Sequence, residues 1–142
     1  MRFRKALTGT LLIVAGVAAP SFPSRIAAAE SACAPGESPF ACNRDALDPA
    51  ARRRHFDELG PAIRAKIRTV RELPDGYEFE LPGDSGTYAQ VTEWSAGERA
   101  CCPFFDIAVV SEREGGALWL RLTGRSGVKQ FIEVDGAAWI RR

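Results

Sequence analysis

Residues 77–86, YEFELPGDSG, alternate strictly and then turn. Tyr77, Phe79 and Leu81 share one face of an extended chain, with Glu78 and Glu80 on the other. A period of two marks a half-buried antiparallel strand. The segment 118–127, LWLRLTGRSG, repeats the pattern at an offset of 41 residues, with Leu118, Leu120 and Leu122 opposite Trp119 and Arg121. A turn signal precedes each strand, LPDGY at 73–77 and REGGA at 113–117. Before each turn stands another strand-like run, Val70–Leu73 and then FFDIAVVSE at 104–112. These are two hairpins. Each runs into a helix, with Asp84 or Ser85 as the first N-cap and Ser126 as the second. A further helix opens at Asp48-Pro49 with Phe56, Leu59 and Ile63 on one face, and Pro61 is expected to kink or split it. The predicted order is α-ββα-ββα. The arrangement that buries every apolar stripe is a two-layer α+β domain, a four-stranded antiparallel sheet with helices on one face and an approximate internal twofold repeat.

The chain has 142 residues, 46% hydrophobic and 26% charged, enough for one globular domain with a real core. Its first segment has another character. MRFRK is basic, ALTGTLLIVAGVAAP is apolar, and Ala27 and Ala29 are small residues in the spacing of a cleavage site. Residues 1–29 therefore read as a secretory signal peptide. A spanning helix needs ~20 apolar residues, and Pro20 and Pro23 break this run too soon. A lipoprotein reading needs Cys33, and Glu30 stands where an aliphatic residue is wanted. Residues 30–46 then form an N-terminal extension with Cys33 and Cys42, and 47–142 a single domain. Without 1–29 the chain keeps 15 basic and 18 acidic residues, a net charge of −3. Such a domain has no electrostatic footprint for nucleic acid and, once the leader is removed, none for a membrane. The cluster ARRRHF, 51–56, reads as a solvated helix face.

The chemistry concentrates in ERACCPFF, 98–105. On a helical wheel through 87–102, Tyr88, Val91, Trp94, Ser95, Glu98, Cys101 and Cys102 share the arc that faces the sheet. Pro103 ends that helix. Adjacent thiols beside a carboxylate make Cys101, Cys102 and Glu98 candidate ligands for a thiophilic ion such as Cu(I) or Zn(II). A helix C-terminus favours the protonated thiol, which argues against an activated nucleophile, and the single histidine, His55, is distant in the chain. Export into an oxidising compartment favours disulfides. Cys33–Cys42 is the preferred pairing, and the two alternatives tie Cys101 and Cys102 to the N-terminal segment. Glu98 also has an ordinary role open to it, pairing with an arginine. Three functions stand: an exported binder of thiophilic metal, a structural or interaction domain whose cysteines pack or form disulfides, and a thiol redox enzyme.

The run ERACCPFFDIAV, 98–109, followed by GGALWLRLTGRSGVKQFI, 115–132, resembles a family of short, functionally uncharacterised bacterial proteins. Their pattern is Glu-Arg-x-Cys-Cys-Pro-Phe, a hairpin, then Leu-Thr-Gly-x-x-Gly-Val-Lys-x-Phe. VRELPDGYEFELP, 70–82, is similar to the same family's first hairpin, so the likeness covers about 47–133. It implies a small domain whose distinctive positions are Glu98, Cys101 and Cys102, and no activity. The leader and the pair Cys33/Cys42 depart from the pattern.

Overall fold

The computed structural model describes residues 38–141. The expected leader, 1–29, and Cys33 lie outside the described residues. Four strands form one antiparallel sheet: β1 (Thr69–Leu73), β2 (Gly76–Leu81), β3 (Phe105–Ser111) and β4 (Leu118–Gly124), in spatial order β1-β2-β4-β3. Each hairpin contributes its second strand to the centre. There Tyr77 pairs with Leu122, Phe79 with Leu120, and Leu81 with Leu118. All six side chains are buried in a single core, as the alternation requires.

The outward row is covered by its own side chains. Glu78 faces away from the core yet is buried, because Arg71 and Arg121 each reach its carboxylate at 2.8 Å. Trp119 lies beneath the Arg71 guanidinium, 3.6 Å from its ring centre, and donates Nε1–H to Glu112 at 3.0 Å. Alternation places such residues on the correct face without revealing that neighbours will roof them.

The helices are α1 (Pro49–Arg53), α2 (Gly60–Arg64), α3 (Ser85–Cys101), α4 (Val128–Val134) and α5 (Ala137–Ile140). Asp48 caps α1 by accepting from the Ala50 and Ala51 amides at 2.9 Å. Between α1 and α2 the chain does not break at Pro61. It widens into a π-helical turn over Arg54–Leu59, in which the Gly60 amide reaches back to the His55 carbonyl. The wider turn admits a proline, which has no N–H to donate. Asp84 caps α3, accepting from the Thr87 amide at 2.9 Å and hydroxyl at 2.7 Å, and these bonds hold its carboxyl below the usual range.

The inward face of α3 is Thr87, Val91, Trp94, Ser95, Glu98 and Cys101. Tyr88, expected on that arc, is 47% exposed, because it stands at the edge of the stripe that Thr87, four residues before Val91, occupies. Ser126 is not the cap of α4 either. That position is Gly127, whose φ of 105° suits glycine, and a Cβ there would stand 2.5 Å from the Phe40 ring. Among the described residues no helix is long and apolar enough to cross a membrane.

Candidate functional site

The last two turns of α3 carry Glu98 and Cys101 to its inward side, where the π-helical turn meets them with His55. His55 is 3% exposed. Its Nε2 lies 2.8 Å from Glu98 Oε2 and 3.8 Å from Cys101 Sγ, and that sulfur is 3.9 Å from the same carboxylate oxygen. The carboxylate accepts, so Nε2 carries the imidazole proton. Nδ1 is then buried with no hydrogen-bond partner among the described residues. Packing holds the ring instead. Trp94 stacks on it at 5.5 Å and 9°, and Phe56 meets it edge-on at 4.6 Å. Gly97 lets α3 approach: a Cβ at that position would stand 2.6 Å from Nδ1.

Cys101 is a free thiol with no exposed surface. Burial pushes its pKa up to about 12, and the neighbouring Glu98 charge adds to the effect. Its sulfur is 3.7 Å from that of Cys102. Cys102 has left the helix, with φ −129° and ψ 66°, as the residue before Pro103 should. It is bonded to Cys42, with Cα atoms 4.8 Å apart across 60 residues. This corrects the expected Cys33–Cys42 pairing, since one sulfur forms one such bond. It also removes Cys102 from the expected ligand set of Cys101, Cys102 and Glu98 while the bond is intact. Spacing favoured the short loop, but the fold brings Cys42 to the end of α3. There the Asn43 amide donates to the Cys101 carbonyl at 2.7 Å, and Phe40 packs edge-on against Phe104 at 5.4 Å.

His55 is the residue that sequence reasoning missed. Within ARRRHF it reads as part of a solvated face, whereas the fold buries it in the core-facing cluster. Its neighbours do face water: Arg54 spans Glu93 and Glu58 at 2.9 and 3.0 Å. The overlooked signal is His55, Leu59, Ile63, a spacing of four on the buried stripe. Among the described residues Glu98 pairs with this histidine and with no arginine.

A cavity of about 240 Å³ opens beside the cluster, bordered by Cys42, His55, Glu98, Phe56, Trp94 and Trp139 among others. The imidazole nitrogen, sulfur and carboxylate oxygen lie within 4.8 Å of one another, close enough to hold a metal ion; Cys42, Glu98 and Cys102 are as close, but their two sulfurs are bonded to each other. A tetrahedral zinc ion, with Zn–S of ~2.3 Å and Zn–N or Zn–O of ~2.0–2.1 Å, spaces its donors roughly 3.3–3.8 Å apart. The two sulfur separations in the first group already match to within a few tenths of an ångström. Only the His55–Glu98 hydrogen bond is too short, and it would have to open. Comparison with family models, with curated proteins and with solved structures yields no match to the chain.

Proposed function

We propose that this is an exported domain that holds a thiophilic metal ion of the Zn(II) or Cu(I) kind through His55 Nε2, Cys101 Sγ and Glu98. The convergence of these three buried donors, each from a side chain fixed by packing, carries the reading. Binding releases the Cys101 thiol proton to solvent and requires the neutral imidazole to carry its one proton on Nδ1 instead of Nε2, so that Nε2 offers a lone pair and the ion replaces the bond between imidazole and carboxylate. The adjoining cavity supplies the way in. The leader-like 1–29 segment supports export, as does the cystine, since such bonds persist in oxidising compartments. The raised thiol pKa weighs against a redox enzyme, which needs a ready thiolate.

Calorimetric titration of the mature, oxidised protein with Zn(II) tests the reading. The expected outcome is one tightly held ion, lost in His55→Ala and in Cys101→Ser. Equal uptake by the parent and both variants would place any zinc elsewhere and overturn it. The cystine favours a second role alongside the first, a staple that pins residues 38–42 across the end of α3.

A further inference from the structure

Two donor groups share Glu98: His55 with Cys101 on one side, and Cys42 with Cys102 on the other. The Cys101 and Cys102 sulfurs, 3.7 Å apart, already stand at the separation of two thiolates on one tetrahedral ion, ~3.8 Å. Only the bond between Cys42 and Cys102 withholds the second group, because a metal takes up a thiolate and not a cystine sulfur. The two ends of that bond differ. Cys102 is fully buried at the end of α3. Cys42 is exposed, borders the cavity and belongs to a segment outside any helix or strand.

We propose that the Cys42–Cys102 cystine is a latch on a larger metal centre, and that its reduction by a dithiol frees both sulfurs to join Cys101 and His55 around one thiophilic ion. This rests on the metal-binding reading of the His55–Glu98–Cys101 cluster. In the reduction, one thiolate of the dithiol attacks the exposed Cys42 sulfur, the Cys42–Cys102 bond breaks, and Cys102 leaves as the thiolate. The second thiol of the reductant then attacks the mixed disulfide and releases Cys42. The reductant departs as its own disulfide, having supplied two electrons, and the protein holds two thiols. On binding, each thiol that becomes a ligand gives its proton to solvent. Cys42 makes the movement, since the parted sulfurs must stand about 3.8 Å from each other around the ion. The Asn43–Cys101 backbone bond and the Phe40–Phe104 contact keep its segment close once the covalent link is cut.

The result is a centre of three thiolates and one imidazole, a set that suits Zn(II) and similar ions. Among the described residues the oxidised protein offers one thiolate, that of Cys101. Reduction therefore changes both the number of sulfur ligands and the affinity, and the cystine ties metal retention to the redox state of the surroundings.

The experiment uses the mature chain carrying Cys33→Ser, which leaves the three relevant sulfurs. Co(II) is the probe, because its sulfur-to-metal charge-transfer absorption counts thiolates, and Zn(II) competition against a chromophoric chelator gives the affinity. The expected result is one thiolate in the oxidised protein and three after reduction, with affinity rising by at least about tenfold. Cys42→Ser, which frees Cys102 without a reductant, should show two thiolates. Equal affinity and equal thiolate number in both redox states overturn the latch and leave the three-donor reading intact. No uptake of either ion in either state overturns that reading, and the latch with it.

Discussion

Gly97→Ala places a methyl group where the His55 ring now stands, 2.6 Å from Nδ1 and 3.2 Å from Cε1 and Cγ. At an ordinary interior helix position the substitution stabilises by about 1 kcal/mol, since glycine is a poor helix former. Here the ring cannot yield easily, being stacked on Trp94 and braced by Phe56. Overpacking of this kind costs about 1–3 kcal/mol. If the ring is pushed off Glu98, the lost hydrogen bond to a charged group adds about 1.5–3 kcal/mol. The clash outweighs the propensity, and with the hydrogen bond lost the net expectation is a loss of about 1.5–5 kcal/mol. Urea unfolding of Gly97→Ala against the parent reads it. The double variant Gly97→Ala/His55→Ala gives the coupling, because removing the ring should rescue most of the methyl's cost. A stabilised Gly97→Ala protein would show that α3 and His55 are not in contact, and the site built on that contact would fall.

Cys42→Ala opens a loop of 60 residues, and the chain-entropy estimate for its closure is about 4 kcal/mol; a midpoint in urea unchanged from the oxidised parent would refute the cystine. Tyr77 has its pKa pushed up to about 12, by burial first and by its bond to Glu133 second. Between pH about 10 and 12 the unfolded chain therefore loses this proton and the native one keeps it, so stability falls as pH rises through that window. Tyr77→Phe should flatten the fall, measured as unfolding midpoints at pH 9 and 11; identical slopes would contradict the assignment. Glu78→Ala should cost about 1–3 kcal/mol, below the usual penalty for breaking a buried pair, because Arg71 and Arg121 are half-exposed and turn to water. A neutral result would mean that the outward ion pairs add nothing to the sheet.

The sheet was legible because period-two alternation is a direct consequence of strand geometry, and Tyr77, Phe79, Leu81 and their counterparts in β4 follow it without exception. Glu98 and Cys101 were legible by the same logic applied to a helix. His55 was not, because the three arginines before it mark a solvated face and mask its place four residues before Leu59 on the buried stripe. The cystine was legible only as one tie within the alternative pairings, not the preferred one. Loop length favours Cys33–Cys42, and only the docking of residues 38–42 against α3 brings Cys42 to Cys102. Thr87 belongs to the buried stripe by helical spacing alone, four residues before Val91, and Tyr88 stands at the edge of that stripe.

Zinc-edge X-ray absorption on the oxidised protein, loaded with one equivalent of Zn(II), decides whether the His55–Glu98–Cys101 donors hold the ion. One sulfur at ~2.3 Å is expected, with nitrogen and oxygen at ~2.0–2.2 Å, and loss of the sulfur shell in Cys101→Ser. A shell of oxygen alone, or a spectrum unchanged in Cys101→Ser and His55→Ala, would contradict it.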